Sequence, residues 1–425
     1  MKYKVGVKKM EYVKNLKCTN CGKTYEAIPD KYLCDKCGDK GILDVQYKYE
    51  KIKKEWSKEE LDKNPEQSIW RYLPLIPIGK NSKRPKLRIG HTPLYHSKAM
   101  GEKLGLNNLV IKDDGLNPTG SLKDRASAIA AVKAREANAY TVACSSTGNA
   151  ASSLAGNIAA MEEDMNAIIF VPERAPAGKV AQLLIYGAEV VSVQDSYEAA
   201  YYLSDDAIKK WGWYNRNAAI NPYLVEGKKT AVLEMAEQLN WKMPDWVVFS
   251  VGDGCTIAGA YKGLYDLKQI GFTDRIPKLL GVQAEGCAPI TKAFRTGNDL
   301  EVTDENTIAD SIAVGSPRNF NKALNAVKNS DGEMVNVSDD SILKMMKSLG
   351  STTGIFGEPA GVTGLAGIKK AVNKGIISRD ESVAVVITGN GLKDTSNARK
   401  AAGDLIEIEA DIDKLEQIFG DKGVI

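Results

Sequence analysis

Gly115-Leu116-Asn117-Pro118-Thr119-Gly120-Ser121-Leu122-Lys123-Asp124-Arg125 decides how this chain is read. It sets one lysine in a turn rich in glycine, proline and serine, with an alternating small and apolar run directly behind it. A lysine that forms an imine with an aldehyde needs such a fixed, partly desolvated setting. Desolvation disfavours the ammonium form, and the neutral amine is the nucleophile. A solvated surface turn leading into a helix uses the same residue types, so the role of Lys123 rests on the segments around it.

Outward from this turn, short apolar runs alternate with longer amphipathic stretches. The pattern predicts strands at 109–112, 141–144, 167–171, 189–193, 246–251, 278–283 and 382–388. Helices are expected at about 121–136, 149–161, 178–186, 196–210, 226–239, 256–270, 339–348 and 359–373, with a small one near the C-terminus. Strands separated by single helices indicate βαβ units, a mostly parallel sheet and the α/β class.

Three further turns follow predicted strands. Ser145-Ser146-Thr147-Gly148-Asn149 opens a small-residue helix, where backbone amides and the helix dipole suit a carboxylate or phosphate. Ser146, Thr147 and Asn149 add side-chain donors. Gly252-Asp253-Gly254-Cys255-Thr256 has the same strand, loop, helix grammar, and its glycines let the backbone approach an anion. It is neither a Walker sequence nor a full dinucleotide fingerprint. Thr388-Gly389-Asn390-Gly391 ends the last strand, and Thr388 offers a neutral hydroxyl to an unprotonated ring nitrogen. Each turn also has a purely conformational reading.

The chain has 425 residues, enough for two or three domains. Its 57 basic and 54 acidic side chains leave a net charge of +3, so nucleic acid and anionic membrane are poor partners on charge grounds. No apolar run approaches the roughly 20 residues that span a bilayer. No secretory signal is read at the N-terminus, which points to a cytoplasmic protein. Cys18, Cys21, Cys34 and Cys37 have C-x2-C-x12-C-x2-C spacing, that of a four-thiolate zinc ribbon. Two disulfides, or a ribbon that has lost its metal, are the competing readings; a reducing compartment favours metal. The expected organisation is a ribbon over 1–50, a charged, proline-containing linker and helix over 51–88, and a body over 89–425.

Together these segments closely resemble the fold-type II pyridoxal phosphate enzymes, specifically the threonine synthase family. The likeness extends through His91-Thr92-Pro93-Leu94, Val225-Glu226-Gly227-Lys228-Lys229-Thr230, Gly315-Ser316-Pro317 and Gly354-Ile355-Phe356-Gly357-Glu358-Pro359-Ala360. It implies two interleaved α/β subdomains in the body, the smaller at about 130–225, beside the structural zinc ribbon. It implies that Lys123 holds pyridoxal 5'-phosphate covalently and that Asn149 meets the ring hydroxyl. Gly252, Asp253, Gly254, Cys255 and Thr256 would bind the cofactor phosphate, and Thr388 the ring nitrogen. Ser146, Thr147 and Asn149 would take the α-carboxylate of an amino-acid substrate, and a homodimer is expected.

One departure keeps the reaction open. The family usually carries an arginine between Asn-Pro and Glu-Gly, where it grips the substrate phosphate. This chain has Leu224 there, in Asn221-Pro222-Tyr223-Leu224-Val225-Glu226-Gly227. A forked guanidinium is hard to replace at a phosphate. Lys179, Lys228 and Lys229 are the candidates to compensate. Threonine synthesis from O-phospho-L-homoserine therefore stands beside threonine or serine deamination and β-replacement on serine or phosphoserine.

Overall fold

Strands such as Trp246–Ser250 and Ser382–Ile387 are apolar on both faces, and such strands pair in parallel where helices cover both sides. The structure, a computed structural model, describes residues 10–173, 175, 177–194, 197–217 and 220–421. Six strands make the larger sheet, in the order Glu333–Val337, Lys278–Ala284, Trp246–Ser250, Ser382–Ile387, Asn108–Asp113, Leu94–His96. All neighbours are parallel except Leu94–His96, which runs antiparallel to Asn108–Asp113. The smaller sheet is wholly parallel: Tyr214–Asn215, Thr141–Ser145, Asn166–Pro172, Glu189–Val193.

Every strand expected from the sequence is present, with ends shifted by a residue or so; the last stops at Ile387, one short of Thr388. The edge strand Glu333–Val337 was not expected, because Glu333 and Asn336 interrupt its apolar run. The single helix expected at 226–239 is two, Pro222–Lys228 and Thr230–Gln238. Its true start is set earlier, by Pro222 at the first helical position and by the Asn221 side chain, which accepts the Tyr223 amide at 3.1 Å. Helices Pro289–Thr296 and Phe320–Asn329 also escaped the pattern reading.

The cysteine-bearing segment forms a small antiparallel sheet of Val13–Cys18, Thr24–Tyr25, Leu33–Cys34 and Gly38–Tyr47. Leu16, Leu43 and Val45 bury into the same core as the larger sheet. The Tyr223 hydroxyl donates to the Ile28 carbonyl at 2.7 Å, and Tyr47 donates to Glu226 at 2.6 Å. Among the described residues, no helix is long and apolar enough to cross a membrane.

Beneath the Lys123 turn lies a buried ionic cluster. Arg125 donates to both oxygens of Asp114 at 2.7 and 2.8 Å and to both of Glu234 at 2.6 and 2.8 Å. Lys112 adds a second cation to Glu234 at 2.9 Å. All four side chains are essentially inaccessible to water. Arg125 and Lys112 hold Glu234 well below the usual carboxylate range despite burial. Arg125→Ala would strand Asp114 and Glu234 with too little compensating charge. We expect a loss of about 3–5 kcal/mol, read from the urea midpoint; a loss under about 1 kcal/mol would contradict this account of the cluster.

Candidate active site

A cavity of about 740 Å3 opens where parallel strands of the larger and the smaller sheet end. Open α/β sheets present their ligand sites at the carboxyl ends of the strands. Lys123, Ser146, Thr147, Asn149, Gly252, Asp253, Gly254, Cys255, Thr256 and Thr388 all line it. Ser316, from the Gly-Ser-Pro segment, joins them.

Lys123 is the first residue of helix Lys123–Glu136. Its turn is stitched to the Thr388 segment. The Leu122 amide donates to the Thr388 carbonyl at 2.8 Å, and the Asn390 amide to the Gly120 carbonyl at 2.9 Å. Gly120 sits at φ +87°, a backbone that L side chains rarely adopt. One set of backbone bonds thus places the lysine and the threonine hydroxyl together. Burial, then the nearby Lys228 charge, lowers the Lys123 amine from 10.5 to about 8, with Glu358 opposing. Glu358 is itself pushed up to about 7 by burial, against the pull of Lys123 and Lys393. The Asn149 side-chain amide donates to Glu358 at 2.7 Å, which fixes how Asn149 faces the cavity.

Helices Asn149–Ala159 and Cys255–Gln269 also begin in this cavity, each without a side-chain cap. Their positive dipole ends favour anions. The second helix starts at Gly254, at φ +88°. A Cβ there would lie 2.8 Å from the Ala323 Cβ and 3.0 Å from the Asn319 carbonyl oxygen, so a side chain would force the loop off helix Phe320–Asn329. Asp253 is turned to the protein: it accepts the Arg318 amide at 2.8 Å and the Cys255 thiol at 3.0 Å. Burial and the Asp253 carboxylate push that thiol up to about 12, so Cys255 is no thiolate nucleophile.

Leu224 is fully buried in the core under the smaller sheet and does not line the cavity. Of the lysines considered in its place, Lys228 lines the cavity. Lys229 points away, paired with Glu226 and at 2.6 Å with Asp266, and Lys179 pairs with Asp310. Sequence reasoning missed Arg216, which is 2% exposed and lines the cavity just past strand Tyr214–Asn215. A two-residue strand carries no periodicity from which that position could be read. Glu358, in the Gly-Glu-Pro-Ala segment, is a further residue whose place beside Asn149 the sequence does not announce.

The sulfurs of Cys18, Cys21, Cys34 and Cys37 all lie within 4.8 Å of one another, and those of Cys21 and Cys34 are 3.6 Å apart. Four thiolates about 2.3 Å from one zinc ion would sit about 3.8 Å apart, so the cluster has the right size for that ion. The Tyr25 hydroxyl donates to Cys34 at 3.0 Å, and the Cys21 amide to Cys18 at 3.5 Å, bonds that favour sulfur as an acceptor.

A family model described as pyridoxal-phosphate dependent enzyme matches residues 86–389, and the chain belongs to that family. A threonine synthase of Methanocaldococcus jannaschii is 39% identical over 95% of this chain and 98% of its own. One of Methanosarcina acetivorans is 38% identical over 96% and 99%. Within the family, the chain is a member of the threonine synthases. The fold is shared with maize serine racemase (TM-score 0.61, 21% identity, 78% of this chain and 92% of that one). It is shared too with a threonine deaminase of Solanum lycopersicum (TM-score 0.62, 24% identity, 74% and 88%). Pyridoxal phosphate fits the residues present: a depressed lysine amine for its aldehyde, and the uncapped start of helix Cys255–Gln269 with the buried Lys228 for its phosphate.

A lysine lowered to about 8 should react with aldehydes near neutrality. The rate at which apoprotein takes up pyridoxal phosphate, followed by absorbance, should rise with pH and level off just above 8. A rate still climbing toward 10.5 would mark an ordinary lysine.

Proposed function

We propose that this chain converts O-phospho-L-homoserine and water to L-threonine and inorganic phosphate. The observation that carries this reading is the convergence of Lys123, two uncapped helix starts and two buried cations, Arg216 and Lys228, on one cavity.

Pyridoxal phosphate, when bound, supplies an electron sink for negative charge developing at the substrate Cα. Lys123 would hold it through its ε-amine. The backbone of Gly252 to Thr256 would bind its phosphate, Asn149 its ring hydroxyl and Thr388 its ring nitrogen. Thr388 would offer that nitrogen a hydrogen bond and no charge. The turn from Ser146 to Asn149 takes the substrate carboxylate at the start of helix Asn149–Ala159. Glu358 keeps the Asn149 amide aimed while this happens. With the substrate bound, the Lys123 amine would be the base that lifts the proton from Cα and, after giving that proton up, takes one from Cβ as phosphate leaves Cγ. Its lowered proton affinity suits it to that exchange near neutral pH. Burial of the site keeps each donor oriented before the substrate arrives.

Deamination of threonine or serine is the competing reaction, because Leu224 removes the usual guanidinium from its usual place. Incubation with O-phospho-L-homoserine separates the two. Stoichiometric phosphate and threonine support the proposal. No phosphate, with keto acid formed from threonine or serine, overturns it. Lys123→Ala should lower turnover by at least about a hundredfold to ten-thousandfold while the circular dichroism spectrum stays native. Turnover at the wild-type rate would remove the lysine from the mechanism.

We further propose that the four cysteines bind structural zinc, that the enzyme is cytoplasmic, and that it works as a homodimer. A four-thiolate site leaves no open coordination position, so the metal would fold the ribbon rather than act on substrate. Cys34→Ser should lose the metal, lower the melting temperature and leave kcat within a fewfold. One zinc per chain retained in that variant, by elemental analysis, would contradict the assignment.

A further inference from the structure

Among the described residues three arginines are buried; Arg71, like Arg125, is paired with a carboxylate, that of Glu237, and Arg216 is treated differently. Arg125 meets two carboxylates. Arg216 meets only hydroxyls: its Nε and Nη2 donate to Ser127 Oγ at 3.2 and 3.0 Å, and Nη2 reaches Ser153 Oγ at 3.5 Å. Ser127 and Ser153 share a hydrogen bond of 2.7 Å, and the Arg216 amide donates to the Ala143 carbonyl at 3.0 Å. The guanidinium is therefore held in place without being neutralised. Among the described residues it forms no ion pair, and neither does Lys228, which is 4% exposed.

Of the carboxylates that line or adjoin the cavity, Glu198 stands at an exposed position and the others are already engaged. Asp253 holds the Arg318 amide and the Cys255 thiol, Glu358 holds Asn149, Asp310 holds Lys179, and Glu305 accepts the Gly315 amide at 2.8 Å. A buried cation without a counter-charge is costly, so the cavity is built for anions that come with ligands. The cofactor phosphate is one. The glycine loop, its helix start and Lys228 are placed to serve it, since the Lys228 charge acts on both Asp253 and Cys255. Arg216 remains for a second.

We propose that Arg216 grips the phosphate of the substrate, from just past strand Tyr214–Asn215, in a cavity that the buried Leu224 does not line. The inference rests on the threonine synthase reading and names the residue that sets its substrate class. A guanidinium fixed by two serines through Nε and Nη2 turns its Nη1 donors and its charge to a phosphate, whereas a neutral side chain such as that of threonine or serine gives it nothing to bind.

The test uses holoenzyme with Arg216→Gln and Arg216→Lys. Calorimetry would follow binding of 2-amino-5-phosphonopentanoate, the phosphonate isostere of O-phospho-L-homoserine, and of norvaline, its phosphate-free counterpart. Wild type should prefer the phosphonate. In Arg216→Gln the phosphonate should weaken by about a hundredfold or more, with KM for O-phospho-L-homoserine rising in step, while norvaline binding and cofactor content stay unchanged. Arg216→Lys should lose about tenfold, which keeps the test readable if the glutamine variant does not fold. Equal weakening of both ligands, undiminished preference for the phosphonate, or loss of cofactor from either variant would overturn the assignment. If wild type itself shows no preference and releases no phosphate, the threonine synthase reading fails first. If wild type does both and the variants match it, only Arg216 is misassigned.

Discussion

The Lys123 turn is held from below by one guanidinium between two carboxylates. Arg125, two residues past the lysine, joins Asp114 at the end of one strand to Glu234 on helix Thr230–Gln238. Everything in the site is measured from that anchor. Helix Lys123–Glu136 cannot shift along its axis without breaking charge-assisted bonds in a water-free interior, where unpaired charges are expensive. Backbone bonds from the same turn then fix Thr388. The distance between the amine and the hydroxyl is thus set by the core and not by the ligand.

The same accounting of charge divides paired from unpaired cations. Arg125, Lys112 and Lys229 are buried with carboxylates at bonding distance. Lys123, Lys228 and Arg216 share one cavity with no such partner among the described residues. Their mutual repulsion is part of what lowers the Lys123 amine. A site that must accept two phosphates and a carboxylate can keep its own anions turned to backbone amides, as Asp253 does. The ribbon supports this arrangement from outside: Ile28 and Pro29 receive the hydroxyls of Tyr223 and Tyr214, on the segment that carries Arg216 and Lys228.

Much of this was legible in the sequence, for physical reasons that can be named. Strands buried on both faces leave unbroken apolar runs, so Trp246–Ser250 and Ser382–Ile387 stand out, whereas Glu333–Val337 hides behind its polar residues. Turns that need left-handed backbone reveal themselves by glycine, as at Gly120 and Gly254. What stayed hidden depends on register. Arg216 reaches the cavity because Asn215 pairs with Ala143, a pairing that no local pattern announces. Glu358 meets Asn149 across 209 positions of chain. Lys228 and Lys229 are neighbours in sequence, yet one lines the cavity and the other turns to Asp266, which only the backbone path decides.

The central claim is a covalent one, and reduction tests it most directly. Holoenzyme treated with borohydride, digested and mapped by mass spectrometry should carry a single pyridoxyl group, on the peptide containing Lys123. An adduct on another lysine, or none on that peptide, would contradict the account.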